Sequence, residues 1–321
     1  MTVSMPAAAG SIDRPPGSAQ PRALRRRSKI DGWAYLWIAP AVGLFALFTL
    51  LPVAIALGLS FTSWDGSGNP VFNGLHNYVT AFHDGAYWSA VLHNIWYAVG
   101  TVIGKMVLGL GLALVMNQAL PARAFFRTSL FLPVVLSFIA VGMLWSWIYS
   151  YDIGLLNELL GKVGLTSLQR DWLGDPKYAL ISLIIVDVWK WFGFHMVIFL
   201  AGLQSIPQEL YEAGRVDGAN GWKLLRHITL PLIVPVSLIN LVLASAGAFN
   251  VFDVVYVMTE GGPVNSTNVA MMEIYRQAFQ FYKFGYSSAL SVVQLVLVSL
   301  VSLGIMLALG RRAPLMGEDR G

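Results

Sequence analysis

Six long apolar runs, separated by polar stretches, dominate the pattern along this chain. Each run exceeds the roughly 20 apolar residues that a helix needs to cross a hydrocarbon layer about 30 Å thick. Lipid offers the backbone no hydrogen-bond partners, so each run is predicted to be helical. The pattern therefore predicts an all-α membrane protein with six transmembrane helices. The predicted spans are 33–61, 95–116, 125–149, 179–203, 232–258 and 288–310.

The composition excludes most other classes of protein. Apolar residues make up 56% of the chain and charged residues 12%, whereas soluble domains average about 45–50% and about 25%. The chain has no cysteine, which excludes disulfides, thiolate metal sites and cysteine nucleophiles. Neither a metal-ligand spacing nor a catalytic Ser/His/Asp arrangement is present, so no metal, cofactor or catalytic residue is predicted.

The positive charges predict the orientation of the spans. Fourteen of the 21 Lys and Arg residues lie in or at the border of the two tails and the second and fourth connections, five lie in the other connections, and two, Lys105 and Lys190, lie deep inside spans. The side richer in Lys and Arg is normally cytoplasmic. Both termini are therefore predicted to be cytoplasmic. This placement accounts for the net charge of +4, so nucleic acid is not a predicted partner.

The two ends of the chain differ from the membrane domain predicted over 33–312. Residues 1–32 are rich in Pro, Ala, Ser and Arg, which predicts a disordered cytoplasmic tail. Residues 313–321 are predicted to be a second cytoplasmic tail. A signal peptide also places basic residues before an apolar run, but 33–61 is too long and no small-residue cleavage site follows. We therefore expect the first span to be retained.

The fourth connection, 207–231, is longer than a simple link between two spans requires. Its pattern predicts two short helices: Pro207 stands near the start of the first, and Asp217-Gly218 is a turn signal before the second. The helices could lie on the bilayer surface, held there by Trp222 and the basic residues. They could instead form a docking surface for another protein. The physical pattern alone does not separate these interpretations.

This connection resembles the EAA motif of ABC-importer permeases, E-A-A-x3-G-x9-I-x-L-P. Only the second Ala of the motif differs, being Gly214 here. The stretches 202–207, 74–78 and 152–157, and Thr-Glu-Gly-Gly-Pro at 259–263, resemble the carbohydrate-type branch of that family. The resemblance covers roughly residues 33–312. The residues it implies for contact with an ATPase are Glu212, Ala213, Gly214, Asp217, Gly218, Ala219, Leu225, Ile228, Leu230 and Pro231.

The resemblance implies a permease subunit in the cytoplasmic membrane of a bacterium. In that family a dimer of cytoplasmic ATPases drives transport, an extracytoplasmic binding protein delivers the solute, and the carbohydrate branch usually adds a second, different permease. The sequence contains no G-x-x-x-x-G-K-[ST] phosphate-binding motif. ATP hydrolysis is therefore expected in the partner and not in this chain, which is not expected to be an enzyme.

Polar residues inside spans are candidates for a solute pathway, because burying them in lipid is unfavourable. We expect the fourth span to contribute Asp187, Lys190 and Trp191, and the fifth to contribute Phe249, Asn250 and Asp253. This mixture of polar and aromatic groups suits a sugar. The alternative for Asp187 and Lys190 is that they neutralise each other one helical turn apart.

Two further polar residues lie within spans. Lys105 is isolated near the middle of the second span, so it must face a carboxylate, a carbonyl or water. His195 is expected to be a satisfied interior residue and not a ligand. The role of Lys105 stays open.

Two other functions compete with an ATP-driven importer. Charges near the membrane midplane would also suit a secondary transporter driven by an ion gradient, and a membrane scaffold is a third class. An ion-coupled carrier does not need the long 207–231 connection, and a scaffold should lack a polar, aromatic interior. Within the importer class, a mono- or oligosaccharide is favoured, and a polyol or glycerol phosphate is also possible. The few fixed positive charges inside the spans favour a neutral sugar over a phosphorylated solute.

Overall fold

The computed structural model describes residues 32–118 and 121–310. The predicted tails therefore lie outside the described residues, apart from Gly32. The chain divides into two compact units, one ending at Leu51 and the other beginning at Pro52. Within the first, helix α1 (Gly32–Phe45) is followed by the π-helical turn Ala46–Leu50.

The larger unit is almost entirely helical. Its elements begin with α2 (Leu51–Leu59), whose first residue belongs to the smaller unit. The next elements are the antiparallel strands β1 (Thr62–Ser63) and β2 (Val71–Phe72), α3 (His76–His83), α4 (Gly85–Met116), α5 (Arg123–Val135), α6 (Phe138–Ile148), α7 (Leu155–Lys162) and the 3-10 turn Thr166–Leu168. They continue with α8 (Pro176–Gln204), α9 (Gln208–Val216), α10 (Gly221–Leu224), the π-helical turn Leu225–Thr229, α11 (Leu230–Leu232) and α12 (Val234–Phe249). The last elements are α13 (Asp253–Met258), α14 (Ala270–Tyr275), the π-helical turn Arg276–Gln280 and α15 (Phe284–Gly310).

Four helices of the described chain are long and apolar enough to cross a membrane: Leu36–Leu59, Gly85–Met116, Pro176–Gln204 and Phe284–Leu307. Two bent helix pairs bring the number of spans to six if each pair crosses once. The pair α5 and α6 bends by 97°, and Gly221–Leu232 bends by 66° against α12. The predicted all-α membrane fold with a helix pair in the fourth connection is confirmed.

The predicted spans 125–149 and 232–258 each consist of two helices and not of one. The first is interrupted between α5 and α6, and the second between α12 and α13. Apolar residues stand on both sides of each break, so the hydropathy pattern shows the span without showing the interruption. Both breaks border the cavity described below.

Helices α4 and α8 form the central packed pair of the larger unit. Small residues allow this approach: a Cβ added at Gly104 would lie 2.7 Å from Val188 Cγ2. Close packing through small residues is the usual basis of helix association in membranes. Helix α12 is tied to α4, because buried Asn94 donates its Nδ2 to the Ala248 carbonyl at 3.0 Å.

Candidate functional site: a membrane cavity and an exposed helix pair

A cavity of about 270 Å³ lies between α4, α6, α8 and the interrupted fifth span. Its walls combine aromatic rings with polar and charged groups, the combination expected of a site for a polar solute with apolar faces. The lining residues are Lys105, Phe138, Asp187, Trp191, Phe194, His195, Leu243, Ala244, Gly247, Asn250, Val251, Phe252, Asp253 and Val254.

Four of the six predicted pathway residues line this one cavity: Asp187, Trp191, Asn250 and Asp253. The other two, Lys190 and Phe249, are not among the lining residues. The Phe249 carbonyl accepts a hydrogen bond from Gln294 Nε2 at 3.0 Å, which ties the end of α12 to α15.

Asp187 is paired with Lys105 and not with Lys190. The Lys105 ammonium on α4 lies 2.5 Å from Asp187 Oδ2 on α8, and both side chains are almost completely buried. Of the three partners expected for Lys105, namely a carboxylate, a carbonyl or water, the structure shows the carboxylate. The alternative in which Asp187 and Lys190 neutralise each other is wrong, because helical spacing shows neighbours on one helix but not the partner across an interface.

Lys190 holds the break in the third span. Its Nζ donates to the carbonyls of Pro133 and Val134, each at 3.2 Å, and to the Leu136 carbonyl at 2.5 Å. These carbonyls end α5, where the backbone acceptors have no partner within the helix. A cation is favoured at a helix C-terminus by the dipole. Lys190, which is 2% exposed, therefore gives these carbonyls the hydrogen-bond donor that lipid cannot provide.

His195 is a satisfied interior residue, as expected. Its Nδ1 lies 2.5 Å from Asn240 Oδ1, and Asn240 Nδ2 donates to the His195 carbonyl at 3.2 Å. This reciprocal pair joins α8 to α12. His195 also lines the cavity. Phe138 and Phe194 line it too, and neither of these two residues was singled out from the sequence. The aromatic residues gave no signal because the spans contain so many others.

The interruption of the fifth span places backbone beside the cavity. Helix α12 ends at Phe249, residues 250–252 are not helical, and α13 begins at Asp253. Asn250 and Asp253 are therefore not one turn apart on a single helix. Non-helical backbone at membrane depth is tolerated where it borders protein or a cavity. Asn250 donates its Nδ2 to the Ala246 carbonyl at 2.9 Å.

The predicted helix pair of the fourth connection forms an elbow, defined here as residues 207–231. Helix α9 ends in a Schellman motif: the Ala219 N–H donates to the Gly214 carbonyl at 2.9 Å and the Gly218 N–H to the Arg215 carbonyl at 3.0 Å. Gly218 has φ +75°, a conformation in which glycine is favoured. Asn220 then caps α10 by accepting from the Lys223 N–H at 2.9 Å.

The two arms of the elbow pack on each other through few contacts. A Cβ added at Gly214 would lie 2.7 Å from Leu224 Cδ2 and 3.0 Å from Ile228 Cδ1. Tyr211 and Thr229 join the arms through a 3.0 Å contact between their hydroxyl oxygens. The contacts that Leu224, Tyr211 and Thr229 make between the arms were not predicted from the sequence.

The outer surface of the elbow is exposed and carries apolar side chains. Helix α9 has no buried residue. Val216 is 88% exposed at its end, and Trp222 on α10 is 65% exposed. Exposed apolar residues gathered on a short polar segment are typical of a surface that another molecule covers.

Comparisons with known proteins agree with this geometry. Residues 105–313 match the family described as "Binding-protein-dependent transport system inner membrane component". The chain is 39% identical over 272 residues to the probable ABC transporter permease protein YurN of Bacillus subtilis, covering 84% of this chain and 93% of that protein. It is 34% identical over 284 residues to the lactose transport system permease protein LacF of Rhizobium radiobacter, covering 87% and 94%.

A solved structure has the same fold. It is a bacterial alginate ABC transporter in complex with a periplasmic protein that holds an alginate pentasaccharide. The two chains superpose with a TM-score of 0.75 at 25% identity, and the match covers 86% of this chain and 93% of the other.

Proposed function

Because the chain belongs to the binding-protein-dependent transport system inner membrane component family, we propose that it is the permease subunit of an ATP-driven carbohydrate importer. The names of the relatives support the cargo class, since LacF is a lactose permease and the similar structure is an alginate importer. The chain transports and does not catalyse; a separate ATPase supplies the energy. A second permease and an extracytoplasmic binding protein complete the complex.

The central cavity is the proposed solute pathway. Sugars combine hydroxyl groups with apolar ring faces, and the wall offers Asn250 and Asp253 beside Trp191 and Phe252. The Lys105–Asp187 pair adds no net charge, so the cavity suits a neutral sugar better than a phosphorylated solute. Lys190 donates hydrogen bonds to backbone carbonyls at the break between α5 and α6, so it is not included in the proposed solute pathway.

The elbow is the proposed site of contact with the ATPase dimer. The observation that carries this proposal is the exposed α9–α10 pair, which matches the EAA pattern in spacing and is held together by the Gly214 contact and the Gly218 turn. A segment stiffened in this way can transmit displacement of the ATPase to α8 and α12, which it joins. Both termini and the elbow are proposed to be cytoplasmic, as the Lys and Arg distribution predicts.

Reconstitution of the complete importer tests this function. We expect proteoliposomes that contain the complete importer to take up at least one of lactose, maltose and trehalose. Uptake should require ATP on the side of the membrane that carries the ATPase, and it should also require the binding protein. The purified chain alone should hydrolyse no ATP. Uptake that persists without ATP but stops when the proton gradient is collapsed would contradict the proposal. So would appreciable ATP turnover by the isolated chain.

A further inference from the structure

Two arginines at the start of α5, Arg123 and Arg127, converge on one neutral group, and we call them the arginine pair. Gln204, the last residue of α8, turns its amide oxygen toward both side chains. This oxygen accepts from Arg123 Nη2 at 2.8 Å and from Arg127 Nη2 at 2.9 Å. Two cations therefore face each other across a single uncharged oxygen. Like charges four residues apart on a helix are destabilising, so an anion between them would be stabilised.

No carboxylate of the described chain offsets the arginine pair. Neither arginine forms a salt bridge there, since the ion pairs found among the described residues join other side chains. The first turn of α5 contains no acidic residue, and the positive end of its dipole disfavours further cations. Gln204 also borders a cavity of about 440 Å³, in which Arg215 is the one charged residue of the described lining. Positive charge therefore prevails around Gln204.

The arginine pair retains donors that an outside group can reach. Both residues are half-buried. The Nε atom of each is enclosed and unpaired, so it is not available to a ligand. The Nη1 atom of each has no acceptor among the described residues and, unlike Nε, is not enclosed. Guanidinium groups bind phosphate through forked pairs of N–H groups, so two neighbouring guanidinium groups suit a single phosphate.

The surface beside the arginine pair indicates that the anion belongs to a lipid. Phe125 and Phe126 lie between the two arginines in the sequence and are 68% and 45% exposed. Large apolar side chains exposed along a membrane-spanning helix suit contact with hydrocarbon, and arginines near the end of such a helix extend to the headgroup layer. The arginine pair is therefore expected at the depth of the lipid phosphates. Basic pockets between helices on the cytoplasmic side are typical sites for anionic headgroups.

We propose that the arginine pair is a binding site for the headgroup phosphate of an anionic phospholipid in the cytoplasmic leaflet. The phosphate accepts from Nη groups of both arginines and offsets their charge. Because Gln204 ends α8 and the elbow begins at residue 207, a lipid bound here stabilises the contact between α5 and α8 next to the elbow. The inference goes beyond the proposed function, since it uses the predicted orientation in the membrane but not the identity of the cargo.

The test uses the purified full chain, stripped of lipid in detergent and then titrated with phosphatidylglycerol. Native mass spectrometry measures lipid binding, and thermal unfolding measures the stabilisation that binding causes. Arg123→Gln combined with Arg127→Gln removes both charges of the arginine pair. The matched control, Lys223→Gln combined with Arg226→Gln, removes two exposed charges from the elbow, on the same predicted side of the membrane. Phosphatidylcholine and inorganic phosphate are the comparison ligands.

Gln204→Glu tests the site in the opposite direction. It keeps the size of the side chain and places a carboxylate between the two arginines, where it should take the place of the lipid phosphate. We expect this variant to unfold at a higher temperature than wild type without lipid, and to gain less stability than wild type from phosphatidylglycerol. Because it keeps both arginines, the proposal stays falsifiable even if the double Gln substitution prevents folding.

We expect removal of both arginines to weaken the tightest phosphatidylglycerol site at least about tenfold, as the loss of a charge-assisted hydrogen bond implies, and the control to leave it unchanged. Phosphatidylcholine, which has no net charge, should bind more weakly. Equal phosphatidylglycerol binding by wild type and the double variant would overturn the site, as would equal stabilisation of wild type and Gln204→Glu by that lipid. Inorganic phosphate that stabilises as strongly as phosphatidylglycerol would assign the site to a soluble anion and overturn the lipid. None of these outcomes bears on the proposed function, which ATP-driven sugar uptake tests separately.

Discussion

Lys105 on α4 and Asp187 on α8 form a buried ion pair with Nζ and Oδ2 2.5 Å apart. The pair lies at the interface between α4 and α8, and both residues line the central cavity. Breaking a buried pair by removing one partner leaves an uncompensated charge, whereas replacing both partners with apolar residues can be nearly neutral. The losses of stability caused by replacing Lys105 and Asp187 are therefore not expected to be additive.

Lys105→Met and Asp187→Leu, made singly, should each destabilise the protein by about 3–5 kcal/mol. The double variant should be more stable than either single variant, because no unpaired charge remains. Thermal unfolding of the detergent-solubilised protein measures all three. Additive losses in the double variant would show that the two groups do not interact.

Lys190→Met should destabilise the break between α5 and α6. It removes a charged donor from three backbone carbonyls, and a hydrogen bond to a charged group makes a net contribution of about 1.5–3 kcal/mol. Lys177→Met, on the same helix but exposed, is the control and should change stability by less than about 0.5 kcal/mol. Equal unfolding temperatures for the two variants would contradict the capping role.

Asn250→Ala and Asp253→Ala should reduce ATP-driven uptake while the complex still assembles. Loss of about 1.4 kcal/mol of interaction with the solute corresponds to a roughly tenfold fall in apparent affinity. Uptake rate against sugar concentration measures this, and copurification with the ATPase reports assembly. Asp152→Ala, in an exposed loop away from the central cavity, is the control. Normal uptake by both cavity variants would remove these residues from the pathway.

The elbow should tolerate Gly214→Ala. The added Cβ meets only the ends of Leu224 and Ile228, and alanine is favoured over glycine in a helix by about 1 kcal/mol. Gly218→Pro, in contrast, should prevent assembly with the ATPase, because φ +75° is closed to proline. Gly221→Pro serves as its control, since Gly221 is the first residue of α10 and proline is accepted there. Copurification with the ATPase distinguishes the three variants.

Glu212→Lys should weaken docking of the ATPase without altering the fold. Glu212 is exposed on α9, and within the described residues its side chain forms a hydrogen bond only with Gln208, whose Nε2 lies 3.0 Å from Glu212 Oε1. Reversing its charge changes the presented surface and not the packing. ATP turnover stimulated by the binding protein is the readout, and turnover equal to wild type would exclude Glu212 from the contact.

The sequence predicted most of the fold because its signals are local. Apolar runs of sufficient length mark the spans, and Asp217-Gly218 marks the turn between α9 and α10. Four of the six predicted pathway residues line the same cavity, because ionisable and polar groups are rare in spans and lie where lipid is absent.

The parts that could not be predicted depend on contacts between distant segments. The sequence contains both Lys105 and Lys190 but does not indicate which one faces Asp187, since that depends on how α4 and α8 pack. The break at 250–252 contains neither Pro nor Gly, so no local residue marks it. The capping of α5 by Lys190 links residues more than fifty positions apart.

Photocrosslinking tests most directly whether the elbow is the surface that contacts an ATPase. The chain has no cysteine, so a benzophenone maleimide can be attached at one position at a time. Val216→Cys at the elbow and Val264→Cys in the fifth connection are matched, being 88% and 90% exposed. We expect the probe at position 216 to crosslink to the ATPase and the probe at position 264 not to do so. Crosslinking of position 216 to lipid alone, with the ATPase present in the complex, would contradict the account.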